Sequence, residues 1–239
     1  MTEVFVRPPT AQEAVLTELR RLLVTGELAP GTPVRQEAVA ERLGVSRVPV
    51  REALKVLEGE GHVVYLPRRG YVVAELSVAD LTEVYRLREL LEAEAIRVAV
   101  PRLDDATVAA VETAAREVDA AGRRGDLAGM TAHNREFHFL LFDAAGLPRL
   151  SRTLRQLWDA TDVYRAVYFA GPGNRARVKH DHAELLAALR ARDVRRAVAA
   201  QKAHRDRSVV SVTRAIEGGP GPGVSPAEPA AAVGARRAR

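Results

Sequence analysis

Between Thr10 and Val24 the apolar positions Val15, Leu19, Leu22 and Leu23 recur at helical spacing, and Thr10 is placed to cap the first turn. Gly26, Pro30 and Gly31 break that pattern. A short helix follows, with Ala38, Val39 and Leu43 on one side and its end at Gly44. Ser46 can cap a third helix over about 47–58, whose Pro49 falls in the first turn, where a missing N–H costs nothing. Beyond Gly59 and Gly61, the stretch HVVYLPRRGYVVAE alternates β-branched and aromatic residues around a Pro67–Gly70 turn, which predicts a two-stranded hairpin. Helix, helix, turn, helix and hairpin is the order of a winged helix-turn-helix.

From Ser77 onward the period is helical only. Ser77-Val78-Ala79-Asp80 opens this part like a capping box. Further helices are expected at about 104–121, 126–145, 148–169, 174–191 and 193–216, punctuated by Pro101, Gly122, Gly125, Gly146-Leu147-Pro148, Gly171-Pro172-Gly173 and the Asp193 cap. The fold class is therefore mainly α: a winged helix-turn-helix over 1–75 and an all-helical bundle of about six helices over 76–217. The stretch 218–239 is rich in Gly, Pro and Ala, offers nothing to bury, and is expected to be disordered.

Composition narrows the class without naming a function. Of 239 residues 47% are hydrophobic and 28% charged, ample for packed cores. The absence of cysteine rules out disulfides and thiolate metal sites and agrees with a reducing compartment. No apolar run approaches the roughly 18 residues of a membrane span. MTEVFVRPPT also lacks a basic segment followed by an apolar one, so the expected location is the cytoplasm, away from any membrane. The net charge of +5 invites a nucleic-acid reading, but Arg236, Arg237 and Arg239 of the tail outweigh Glu228 there. Lys55, Lys179 and Lys202 are the only lysines, so the arginine excess reads first as coding bias.

The string ERLGVSRVPVREALKVLEGEG resembles the helix-turn-helix signature of the GntR family, and PRRGYVV resembles that family's wing. A recognition helix must bury one side and offer the other to the major groove; Val50, Leu54 and Leu57 supply the buried side. Arg47 and Arg51 stand one turn apart near its start, where an arginine fork discriminates guanine by about 1–3 kcal/mol per good contact. The resemblance assigns both arginines to DNA. Ser46 is placed for a phosphate, and Arg68, Arg69 and Gly70 for the adjacent minor groove. The bland alternative for Arg51 is a surface ion pair with Glu52 or Glu58. Val48 stands where the family usually has threonine, and Glu37 where some members place a DNA-contacting arginine, with Arg35 as a substitute.

Residues 77–210 resemble the FadR-type (FCD) effector domain, on Arg88 and Glu92 in YRLRELLE, Asn134 and His138 in NREFHFLL, His182 in DHAELLAAL and His204 in QKAHRD. The resemblance implies a divalent metal at Asn134, His138, His182 and His204, the first being aspartate in many relatives. Asn134 and His138 are four apart and share a helix face, while the other two come from later helices. An amide brings no negative charge, so the site should hold its metal less tightly and draw an anion more strongly. Nitrogen and oxygen donors suit zinc foremost, with nickel, manganese or iron as alternatives. Arg88 is the implied grip on a carboxylate effector, against the plainer reading of an i, i+4 pair with Glu92. Trp158, Tyr164 and Tyr168 could line the same cavity or be plain core. His62, His133 and His180 are read as non-ligands.

The combined reading is a homodimeric repressor that binds palindromic double-stranded operator DNA and is released by a small carboxylate. One alternative is a constitutive dimeric DNA-binding protein with a structural metal. The other is a metal-dependent hydrolase, against which stands the absence of a His-Glu-x-x-His arrangement or a nucleophile motif.

Overall fold

Helix α1 (Ala11–Val24) starts from a capping box in which the Thr10 hydroxyl accepts from Glu13 N while the Glu13 carboxylate accepts from Thr10 N. It is the first element of a computed structural model that describes residues 8–171 and 173–218. Helix α2 (Gln36–Leu43) ends at Gly44, whose φ of 64° is the left-handed turn that lets α3 (Arg47–Gly59) follow at once. Strands β1 (Val63–Leu66) and β2 (Gly70–Val73) pair antiparallel, Val63 opposite Val73 and Leu66 opposite Gly70. The segment before α2 joins them as an edge, with Val34 N bonded to Tyr71 O and Val73 N to Thr32 O. These elements close over Val15, Leu19, Leu22, Val50, Leu54, Leu57 and Val63.

Helix α2 turns Val39 and Leu43 toward the core as the pattern suggested, but with Ala40 in place of Ala38. Val39 and Ala40 are buried and Ala38 is exposed. Alanines on both sides of Val39 give the pattern nothing with which to choose, and packing on α3 decides.

After a connection at 74–77, α4 (Val78–Ala99) begins with the Ser77 side chain accepting from Asp80 N. A single 3-10 turn (Val100–Arg102) leads to α5 (Asp105–Arg124), α6 (Leu127–Asp143) and α7 (Pro148–Asp159). Then come α8 (Asp162–Ala170), α9 (Asn174–Arg190) and α10 (Val194–Glu217). The described residues thus hold seven helices here rather than about six, because the helix expected over 148–169 is two. The break is at Thr161. Its N–H bonds the Trp158 carbonyl in a tightened final turn, and its hydroxyl bonds back to the carbonyls of Leu157 and Trp158. Neither glycine nor proline marks the place. The core is a layer of Ile96, Val111, Phe137, Phe142, Trp158 and Leu189, with a second cluster around Leu81, Met130, Tyr168 and Val212. No described helix is long and apolar enough to cross a membrane. Of the stretch expected to be disordered, residues 219–239 lie outside the described ones, as do residues 1–7 of the N-terminal unit.

Candidate nucleic-acid interface and candidate metal centre

Two groups of residues carry the chemistry, one on the surface of the N-terminal unit and one inside the helical body. In the first, α3 buries Val50, Ala53, Leu54 and Leu57 and leaves Arg47, Val48 and Arg51 in solvent. Ser46 occupies its N-cap position with no side-chain cap bond. Arg47 Nη1 pairs with Glu37 Oε1 at 3.0 Å, and Arg51 Nε with Glu52 Oε1 at 3.4 Å. Arg35 is the exposed N-cap residue of α2. At the wing tip Arg68 and Arg69 are exposed, and Arg69 N bonds Leu66 O at 3.0 Å. Arg68 has φ 67°, uncommon without a glycine, and Gly70 follows at 75°.

The second group is assembled by three helices. His138 from α6, His182 from α9 and His204 from α10 each bring a ring nitrogen to within 4.8 Å of the others. His138 Nδ1, His182 Nε2 and Asn134 Oδ1 are buried with no hydrogen-bond partner. Orphaned buried lone-pair atoms are costly in a protein interior, and a divalent ion is a partner that satisfies nitrogen and amide oxygen donors together. The residues therefore fit a metal. Burial, reinforced by the neighbouring rings, pulls His138 and His182 well below the ordinary histidine range, so both are neutral and their lone pairs free. Phe137 stacks on His182 at 3.9 Å between ring centroids and fixes its plane.

The sequence reading missed the residue behind His204. His204 Nδ1 donates to Asp181 Oδ2 at 3.1 Å, which leaves Nε2 as the lone-pair nitrogen. Burial raises the Asp181 carboxyl, but the bonds from His204 and Arg207 outweigh it and hold it below its ordinary value. The adjacency Asp181-His182 was the only signal, and it pointed at the wrong histidine.

Next to the histidines lies a cavity of about 10 Å³, barely the room of one water, bounded by Arg88, Asn134, Trp158, Arg165, His204 and Arg205 among others. The i, i+4 pair of Arg88 with Glu92 is present, and Arg88 also faces the cavity. Arg88 Nε donates to Glu92 Oε1 at 2.9 Å. Glu92 is wholly buried and accepts further bonds from Trp158 Nε1 and Gln201 Nε2, at 2.9 Å each, and Arg205 Nη1 at 3.2 Å. Burial alone would raise its carboxyl; Arg88 and Arg205 reverse the sign.

Arg165 is a second buried guanidinium that the sequence reading left out. It meets Asp162, and burial, with Arg88 nearby, lowers it below the ordinary arginine value. Arg88 Nη1 and Arg165 Nη2 both donate to the Thr161 hydroxyl at 3.1 Å. Their guanidinium carbons lie 4.1 and 4.3 Å from the Trp158 ring centroid. Tyr168 reaches the cavity, whereas Tyr164 bonds Ser77 and Asp80 instead. His62 bonds the Asp159 carbonyl, His133 meets Glu136, and His180 is exposed.

Comparison with known proteins divides the chain at the same place. Residues 11–73 match the family described as bacterial regulatory proteins, gntR family, and residues 83–207 match the FCD domain. The HTH-type transcriptional regulator McbR of Escherichia coli is 30% identical over 185 residues, covering 75% of this chain and 82% of that protein. The HTH-type transcriptional repressor RspR of the same organism is 29% identical over 175 residues, 73% and 77% of the two chains. The solved structure of E. coli McbR/YncC superposes with a TM-score of 0.75 at 25% identity, over 87% of this chain and 99% of that one.

Proposed function

The chain belongs to the gntR family of bacterial regulatory proteins, and from that premise we propose a repressor that a small carboxylate releases from its operator. It is a DNA-binding transcriptional regulator and not an enzyme. In this reading Arg47 and Arg51 read base edges, Arg35 and Ser46 meet phosphates, and Arg68, Arg69 and Gly70 enter the minor groove. The operator is a palindrome and the regulator a homodimer, because one recognition helix reads too few base pairs alone. Leu87 and Leu90, exposed about a turn apart on α4, offer the second copy an apolar strip.

One observation carries the effector site: three histidine nitrogens within 4.8 Å of one another, two of them, with Asn134 Oδ1, lacking any other partner. His138, His182, His204 and Asn134 would hold a divalent ion, zinc foremost, and the ion would supply positive charge that no protein carboxylate in its own donor set cancels. Arg88 and Arg165 stand beside it, each paired with one carboxylate, Glu92 and Asp162, and Arg205 shares Glu92. A carboxylate relieves the charge of the ion, and to the extent that it prefers one arrangement of the helices it biases the DNA-binding units.

The small cavity and the bonds of Arg88 to Glu92 and Thr161 favour a second reading, in which the metal is structural and DNA binding constitutive. Zinc titrated into metal-free protein by calorimetry, followed by operator shifts with a carboxylate panel, separates the two. The first reading expects zinc uptake lost in His182→Ala, and a carboxylate that releases DNA from wild type but binds Arg88→Ala more weakly. A releasing carboxylate that binds both variants as tightly as wild type overturns it; no release by any carboxylate leaves the second reading.

A further inference from the structure

The junction between α7 and α8 faces two ways. On one side it belongs to the buried site: Trp158 donates to Glu92, and the Thr161 hydroxyl holds Arg88 and Arg165. On the other side it belongs to the contact with the DNA-reading unit. The Asp159 carboxylate pairs with Arg20 of α1 at 3.3 Å and with Arg135 of α6 at 2.6 Å, and the Asp159 carbonyl accepts from His62 Nε2 at 2.6 Å. Arg20 also grips Glu60, the C-cap residue of α3, at 2.5 Å. One helix turn further along the chain, Val163 packs into the core of the N-terminal unit. Only Ala160 separates the residue that faces the recognition helix from the residue that anchors both pocket arginines.

We propose that Asp159 is a positioning residue for DNA binding: it holds the end of the recognition helix and the base of the wing in one pose, and Thr161 ties that pose to the buried arginines. The first half stands on the contacts alone; the second rests on the cavity being the effector site. The clasp joins charge, with Arg20 and Arg135 balanced by Asp159 and Glu60, to the apolar contact of Val163. Such a contact keeps a pose without locking it, as interfaces between units of one chain commonly do. The turn itself is stiff, since the Thr161 hydroxyl also bonds the carbonyls of Leu157 and Trp158. An anion that draws Arg88 or Arg165 away takes donors from Thr161, and the turn carries that change three or four atoms along the backbone to Asp159.

The chain lacks cysteine, so labels can be placed uniquely. Spin labels at Gln12→Cys on α1 and Arg195→Cys on α10, both exposed positions, report the pose as a distance distribution by double electron–electron resonance. Labelled protein is measured in excess unlabelled protein, so that only distances within one chain count. Asp159→Ala is expected to broaden that distribution and to weaken operator binding by about 2- to 30-fold. Asp159→Asn, which keeps the shape and removes the charge, falls between it and wild type. Thr161→Val touches nothing in the DNA-reading unit, yet it should broaden the same distance. Wild-type distributions and operator affinity in Asp159→Ala and Asp159→Asn would overturn the positioning role. A Thr161→Val protein with unchanged distances would overturn the tie to the pocket. If wild type takes up no zinc, the metal reading fails separately, and the distance measurements, which use no zinc, still decide this one.

Discussion

Two arginine–glutamate pairs of nearly the same length have opposite consequences in the two halves of the molecule. In the DNA-reading unit Arg47 meets Glu37 at 3.0 Å, with side chains 69% and 67% exposed. In the helical body Arg88 meets Glu92 at 2.9 Å, with side chains 5% and 0% exposed. A pair in water is worth at most about 1 kcal/mol, so Arg47 can leave Glu37 for a base or a phosphate at little cost. A buried pair has lost its hydration, and stripping one partner costs about 3–5 kcal/mol. The outer surface is therefore ready for its ligand as it stands, whereas the inner site must exchange one set of strong bonds for another. Burial alone separates the two pairs: one is loose and exposed, the other desolvated and held.

That contrast can be broken most directly at Glu92. Glu92→Ala leaves Arg88 and Arg205 buried without their carboxylate and should lose about 3–5 kcal/mol in urea unfolding; a loss below 1 kcal/mol would mean that water reaches the pair. Next in size, Arg51→Ala should cost about 1–3 kcal/mol of operator affinity and relax preference for the cognate site. Equal weakening on operator and random DNA would make Arg51 a phosphate contact. Asp181→Asn, which weakens the support behind His204, should lower zinc affinity about 10- to 100-fold by calorimetry without abolishing it. Unchanged zinc affinity would remove Asp181 from the site. The smallest effect is expected at Glu37: Glu37→Ala should shift stability by less than about 1 kcal/mol and modestly tighten DNA binding, because a carboxylate near the phosphates is gone. A large stability loss there would erase the distinction between the two pairs.

The same distinction explains what the sequence disclosed. The reading unit is local in the chain: the spacing of Val50, Leu54 and Leu57, the Gly44 turn and the Pro67–Gly70 hairpin are all visible within a few residues of one another, and the structure has them where they were expected. The buried site is not local. His138, His182 and His204 meet only because α6, α9 and α10 pack, and no spacing rule brings distant histidines together; resemblance to a family supplied that. Arg165 and Arg205 were invisible because in an arginine-rich chain no single arginine stands out. Thr161 hid for another reason. The helix break where it sits carries none of the glycine or proline punctuation by which breaks are read.

The narrowness of the inner cavity sets a clock. A space of about 10 Å³ has room for one water molecule, so if a carboxylate is the effector it is seated only when the groups around the cavity move apart. Arrival and departure then share one gate, and both are slowed by the rarity of its opening. A regulator built this way ignores brief surges of its signal, and once filled it keeps its altered state after the surrounding concentration has dropped.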